Sequence, residues 1–285
     1  MELFDTDRRY YRELKMDIQR TKKKENDLKN YLKSLGSAAI AFSGGVDSAY
    51  LLKIAHDVLG DNCIAVTARA VSFPEREIRE AEEFCRAEKI KHFFADTDQL
   101  KIEGFAQNTT NRCYFCKKGL LAEIKKIAFE NGMKYVAEGS NTDDDGDHRP
   151  GRKAVEEHGV KSPLKYADLN KEEIRFLSRR LGLPTSDKPS FACLSTRIAY
   201  GENITAEKLL RAEKAERFLT ELGCTQVRVR IHGDLARIEV LPCEFEIIYE
   251  YSEKIYKYFK SIGFVYVSLD LQGYRTGSMN ENADI

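Results

Sequence analysis

The chain has 285 residues, enough for two domains or one large one, and enough to bury a full core without disulfide staples. Lys plus Arg and Asp plus Glu number 46 each, so the net charge is zero and no global basic field recruits nucleic acid. Apolar residues are 42% and charged residues 32%, a globular composition in which no apolar run approaches the roughly 18 residues of a membrane span. The first dozen residues are charged and lack an apolar stretch, so no secretory leader is expected. Seven scattered cysteines then point to reduced thiols in the cytoplasm, and any close cysteine pair to metal binding or catalysis.

In chain order, residues 8–34 predict an amphipathic helix closed by Gly36, its Lys22-Lys23-Lys24 run a solvated face. Ala38 to Phe42 is a short apolar run long enough for a buried strand. Ser43-Gly-Gly-Val-Asp-Ser48 follows, and then a helix over Ala49 to Leu59. Cys63 to Ala68, Lys91 to Ala95 and Lys134 to Ala137 predict further strands. Helices over Glu75 to Ala87 and Cys116 to Glu130 lie between them. This alternation indicates βαβ units and a parallel sheet. Residues 141–168 are loop-rich, Lys171 to Leu181 is a helix, and 184–204 is irregular again. From Thr205 the pattern changes to a helix to Leu222, a hairpin around His232-Gly-Asp234, a helix over Cys243 to Ile262 and a strand over Phe264 to Leu269. The expected division is therefore 1–195, an α/β parallel-sheet domain with an N-terminal helix, and 196–285, a smaller C-terminal α+β domain.

The Ser43–Ser48 stretch carries the first chemistry. Gly44 and Gly45 let the backbone approach an anion, the following N–H groups and the helix dipole favour negative charge, and Ser43 and Ser48 add hydroxyl donors. There is no Gly-Lys-Ser/Thr, so the loop has no built-in phosphate lysine. Set between strand and helix, it resembles the PP-loop of the ATP-pyrophosphatase (adenine nucleotide alpha hydrolase-like) superfamily, which adenylates a substrate and releases pyrophosphate. A plain Gly-rich turn is the alternative.

Cys113-x-x-Cys116 and the distant Cys193 carry the second. The spacing suits two ligands on one metal centre, and the third thiol makes three. Three soft ligands leave an open position, as in a [4Fe–4S] cluster with one iron free. A structural zinc pair or a redox dithiol are the alternatives. Arg112, Lys117 and Lys118 beside the pair favour thiolates. Cys63, Cys85, Cys224 and Cys243 read as buried small hydrophobes.

Ser43 to Ser48, Glu138-Gly-Ser-Asn-Thr-Asp-Asp144, Asp147-His-Arg-Pro-Gly151, Ser162-Pro-Leu164, Pro189 to Arg197, Tyr200-Gly201, Val227-Arg-Val-Arg230, Ala236-Arg-Ile-Glu239 and Leu271 to Gly277 together resemble the LarE family, in the family's order from about residue 35 onward. The resemblance implies an ATP-dependent sulfur transferase of nickel-pincer nucleotide biosynthesis. It converts carboxylates of pyridinium-3,5-biscarboxylic acid mononucleotide to thiocarboxylates through an adenylate. Family members with a lone cysteine at the position of Cys193 sacrifice its sulfur and become dehydroalanine. All three cysteines here imply the cluster-bearing type, with Cys113, Cys116 and Cys193 as metal ligands and a cluster-bound sulfide as the nucleophile. Ser43, Gly44, Gly45, Asp47, Ser48 and Glu138 are then the ATP-side residues.

Arg228 and Arg230 share one strand face and suit the substrate phosphate. Arg197 suits phosphate or carboxylate, and Glu216 and Glu239 match acidic positions near the sulfur site. Asp47 and Asp143-Asp144-Asp145 suit Mg²⁺. The expected partners are a small-molecule nucleotide and an unidentified sulfide donor, with no membrane or nucleic acid. A homo-oligomer, a hexamer in the family, is expected in the cytoplasm. A PP-loop tRNA thiolase and a non-catalytic sulfide carrier are the competing readings.

Overall fold

The computed structural model describes residues 17–146, 151–189 and 192–279. The start of the expected 8–34 helix, and Asp147 to Pro150, Ser190 and Phe191 of the family motifs, lie outside the described residues. Two compact units are present. The first takes the described residues of Met1–Arg69, Glu75–Thr97 and Leu120–Ser190. The second takes those of Ala70–Pro74, Asp98–Gly119 and Phe191–Ile285.

The first unit is built on four parallel strands, β1 (Ala38–Ala41), β2 (Cys63–Arg69), β3 (Lys91–Asp96) and β4 (Tyr135–Ala137), in the order β3-β2-β1-β4. Ala38, Ala39 and Ile40 are buried, as are Cys63 to Val66. Such unbroken apolar strands belong to a sheet covered on both faces. Its helices are α1 (Ile18–Leu35), α2 (Val46–Leu59), α3 (Glu75–Ala87), the later turns of α4 (Arg112–Glu130), α5 (Gly151–Glu157), α6 (Pro163–Tyr166) and α7 (Lys171–Arg180). Asp17 caps α1 by accepting from the Arg20 N–H at 3.0 Å. Asn170 and Glu173 form a capping box at the start of α7. From β1 the chain steps outward to β2 and β3, then returns to β4 on the other side of β1. The loops after β1 and β4 therefore flank the point where strand order reverses, which is where open α/β sheets bind ligands.

The second unit contains α8 (Ala206–Glu221), β5 (Arg228–His232), β6 (Leu235–Glu239), α9 (Phe245–Glu250), α10 (Ser252–Ser261) and β7 (Tyr266–Leu269). β5 and β6 are an antiparallel hairpin turned at Gly233 (φ +57°), and β7 joins β6 in parallel. Thr205 caps α8, its hydroxyl accepting from the Lys208 N–H at 3.2 Å. The expected single helix over 243–262 is broken at Tyr251, whose φ and ψ of −98° and 15° interrupt it.

The expected boundary after residue 195 differs from the observed division. Residues 98–119 belong to the second unit because Phe105 is buried in its core with Leu194, Ile198, Leu209 and Val229. Hydrogen bonds reinforce this: the Ile204 N–H reaches the Ala106 carbonyl at 2.8 Å, and the Asn108 side chain donates Nδ2 to the Ile198 and Ala199 carbonyls at 3.2 and 2.7 Å.

Candidate functional site

In the first unit, the chain leaves β1 through Ser43 and Gly44 (φ +74°), a left-handed turn that favours glycine, and enters α2 with Gly45 as N-cap. No side chain caps that helix, so its leading N–H groups stay available to an anion. The two serines brace the turn. Ser48 Oγ accepts from the Ser43 N–H at 3.3 Å and donates to the Gly45 carbonyl at 3.1 Å, and the two hydroxyls lie 3.0 Å apart. Asp47, in the first turn, pairs with Lys171 at the head of α7. Burial raises its carboxyl above the ordinary value against the pull of Lys171, and its Oδ1 is buried without a partner.

The loop after β4 lies against the same turn. A Cβ on Gly139 would stand 3.0 Å from Ser48 N, tight enough that the backbone of the turn would have to give way to it. Glu138 organises that loop: Oε1 accepts from the Ser140 N–H (3.2 Å) and the Ser162 hydroxyl (2.7 Å), and Oε2 accepts from the Ser140 hydroxyl (2.8 Å). Asp143 accepts from the Lys171 N–H at 2.8 Å, and Asp144 from the Asn141 N–H at 3.0 Å. The side chain of Asp145 lies outside the described residues.

In the second unit, the thiols come together. Cys113 and Cys116 both sit in the opening turns of α4, because the helix starts at Arg112, ahead of the expected start at Cys116. Their i, i+3 spacing puts both on one helix face. Cys193 is the N-cap of a 3-10 turn over Leu194–Arg197. Cys113 is exposed, and Cys116 and Cys193 are half-buried. Desolvation around the sulfur, and then the charge of Cys193, raise the Cys113 thiol despite Arg112 and Lys117. Burial, and then Cys193, push Cys116 up to about 12, with Gln99 and Arg112 opposing. Arg112 and Lys117 pull the Cys113 thiol downward, the expected direction, but burial outweighs them. Lys118 lies over the Tyr114 ring instead. Among the described residues, no group of three or more His, Cys, Asp or Glu stands in a geometry that could hold a metal ion. Of the four cysteines expected to be buried, Cys63, Cys85 and Cys224 are, whereas Cys243 is exposed.

Three residues absent from the sequence reading support the thiols, Gln99 and Asn108 through their side chains and Ser72 through its backbone. Buried Gln99 donates Nε2 to Cys116 Sγ at 3.0 Å and accepts the Ser72 N–H at 3.3 Å, while the Ser72 carbonyl accepts the Leu194 N–H at 2.9 Å beside Cys193. Arg112 is buried against Asn108 and over the Tyr200 ring. Gln99, Ser72 and Asn108 lie outside any recognisable motif, so only the folded chain reveals them.

The charged residues form a layer beside Cys193. Fully buried Arg197 is bidentate on Glu216 and donates Nη1 to the Ala192 carbonyl at 2.8 Å, the Cys193 carbonyl at 3.3 Å and Thr196 Oγ1 at 2.8 Å. Arg230 is bound to Glu239 (3.0 and 2.9 Å), the Thr196 carbonyl (3.0 Å) and Ser278 Oγ (3.1 Å). Glu239 also accepts from Arg237 and Ser278. Arg228, on the same face of β5, lies over the Tyr274 ring (5.3 Å) and donates to the Val227 carbonyl. Its pKa is lowered by burial, and then by the neighbouring cations Arg197 and Arg230.

A parallel sheet with a Ser-Gly-Gly-Val-Asp-Ser turn at its switch point, joined to an α+β unit, defines a PP-loop protein of the ATP-pyrophosphatase type. No family model matches the chain. Over 251 residues it is 36% identical to the pyridinium-3,5-bisthiocarboxylic acid mononucleotide synthase of Lactiplantibacillus plantarum, covering 88% of this chain and 91% of that one. The chain belongs to the family of that synthase, the LarE family. It is also 42% identical over 259 residues to the uncharacterized protein slr1717 of Synechocystis sp., covering 90% and 97% of the two chains. A more distant match, 29% over 181 residues, is to a subunit of the glutamine-hydrolyzing GMP synthase of Thermoplasma volcanium, covering 58% of this chain and 57% of that one. No helix among the described residues is long and apolar enough to cross a membrane.

Proposed function

We propose that the protein is an ATP-dependent sulfur transferase. It adenylates a carboxylate of pyridinium-3,5-biscarboxylic acid mononucleotide, releasing pyrophosphate, and converts the acyl-adenylate to a thiocarboxylate, releasing AMP. The observation that carries this reading is the gathering of Cys113, Cys116 and Cys193 within one another's electrostatic reach, in a family member that also has the Ser43–Ser48 turn.

A carboxylate is a poor electrophile, and adenylation supplies the leaving group. The N–H groups after Gly45, with Ser43 and Ser48, hold the phosphates. Buried, half-satisfied Asp47 fits a Mg²⁺ ion at those phosphates, with Asp143 and Asp144 nearby in sequence to the loop at β4. Glu138 and Gly139 keep that loop against Ser48. Arg228 binds the substrate phosphate, and Arg230, tied to Glu239, positions it. Arg197 and Glu216 fix the backbone of Cys193.

Three soft thiols are the donor chemistry of an iron–sulfur cluster, although among the described residues they do not stand in metal-holding geometry. The charge of Cys193 adds to burial in raising the thiols of Cys113 and Cys116, and a positive metal would offset that repulsion. Cys113, Cys116 and Cys193 would hold a [4Fe–4S] cluster, which supplies a labile sulfide as nucleophile when bound. A homo-oligomer belongs to the same proposal.

Anaerobic reconstitution with iron and sulfide tests it, followed by ATP and the pyridinium dicarboxylate. Thiocarboxylate and pyrophosphate in equal amounts are expected. Pyrophosphate release with bulk tRNA instead would place the protein among the tRNA thiolases, and sulfide release without ATP would make it a carrier.

A further inference from the structure

The Ser43–Ser48 turn has no lysine of its own, yet an ammonium stands against it. Lys188 Nζ donates to the Gly44 carbonyl at 3.1 Å and to Glu77 and Glu80 of α3 at 2.6 Å each. It lies 3.8 Å from where a Cβ on Gly44 would be. The segment that brings it is held from α7: Arg175 donates Nη1 to the Ser186 carbonyl at 2.6 Å and Nη2 to the Lys188 carbonyl at 2.8 Å. The same helix places Lys171 on Asp47.

Each lysine at the turn is thus matched by carboxylate, so a triphosphate gains attraction only if one is released. Lys188 is the one that can go. Arg76 already contacts both Glu77 and Glu80 at 3.4 Å, so neither carboxylate is left without a cation when Lys188 departs. The Glu80 side chain is 42% exposed and returns to water at little cost. We infer that Lys188 is the phosphate-binding lysine of this turn, exchanging Glu80 for the pyrophosphate end of bound ATP. This rests on the reading of the turn as an ATP site.

Calorimetry on the full chain with Mg²⁺, using ATP, AMP and inorganic pyrophosphate as probes, tests it. Lys188→Met should weaken ATP and pyrophosphate about tenfold to a hundredfold, the range of charge-assisted contacts, and leave AMP unchanged. Lys188→Arg should recover most of the loss. Glu80→Gln removes the competitor and should tighten ATP and pyrophosphate several-fold, roughly the value of an exposed ion pair. Equal losses for all three probes in Lys188→Met would reduce Lys188 to a clamp on the turn and overturn the inference, as would a Glu80→Gln variant indistinguishable from wild type. If Lys188→Met fails to fold, which a melting curve shows, Lys188→Arg and Glu80→Gln decide. A wild-type chain that binds none of the probes overturns the ATP reading and this inference together. Wild-type binding with unmoved variants overturns this inference alone.

Discussion

Arg197 and Glu216 meet side by side, with Nε and Nη2 of the arginine 2.7 and 3.0 Å from the two carboxylate oxygens. The remaining nitrogen, Nη1, wraps the carbonyls of Ala192 and Cys193. Glu216 Oε1 also takes the Val229 N–H at 2.9 Å, so one buried pair ties the Cys193 turn, α8 and β5 together.

Removing one member leaves the other charged and unpaired. Arg197→Met should cost about 3–5 kcal/mol in urea unfolding. Cys193→Ser should cost far less. A wild-type-like midpoint for Arg197→Met would show that the pair is dispensable to the fold.

Asp47→Ala and Ser48→Ala should abolish pyrophosphate release while leaving any cluster intact by absorption spectrum. Gly139→Ala should raise the ATP KM, because its methyl group meets backbone at 3.0 Å, with an overpacking cost of about 1–3 kcal/mol. Normal pyrophosphate formation in all three would remove the turn from the chemistry.

Arg228→Ala should raise the KM of the mononucleotide about tenfold to a hundredfold with little change for ATP. Arg230→Ala should instead lower the melting temperature, because it leaves buried Glu239 with only one of its two arginines, Arg237. The two arginines look equivalent in sequence, so opposite behaviour in kinetics and melting is the distinguishing result.

The reconstituted protein should make several products per chain and keep its mass. A loss of about 34 Da, the H₂S that separates cysteine from dehydroalanine, would show that Cys193 is consumed. Cys113→Ala, Cys116→Ala and Cys193→Ala should each lose iron in metal analysis.

Without metal, Cys116 should alkylate slowly at neutral pH. Its thiol is pushed up to about 12, so the reactive thiolate fraction rises about tenfold per pH unit across pH 7 to 9. Gln99→Leu removes the sulfur's hydrogen-bond donor and should slow the reaction further. Peptide mass mapping reads both rates.

Much of the fold was legible because its signals are local. The buried runs at Ala38 and Cys63 and the Ser43–Ser48 turn each declare themselves within a few residues. The start of α4 was not: Asn108, Thr109, Thr110 and Asn111 are all cap-forming residues, so the sequence does not say which of them opens the helix, and Cys113 fell outside the expected one. The arginines show the same limit in the site. Strand alternation put Arg228 and Arg230 on one face, but only the pairing of β5 with β6 commits Arg230 to Glu239. Lys188 acts through a partner 111 residues away, a separation no window of sequence pattern spans, and Gln99 meets Cys116 across an irregular stretch with no period to relate them.

The second unit is assembled from three separate stretches of chain, and this orders events during synthesis. Cys113 and Cys116 leave the ribosome about 80 residues ahead of Cys193, roughly 4 to 16 s at ordinary elongation rates. For that interval the pair has neither its third thiol nor the core residues around Phe105 that are to enclose it. A nascent chain thus passes through a window in which two adjacent thiols are open to oxidants and stray metal ions. Cells short of reducing power should therefore lose this protein at birth rather than in service.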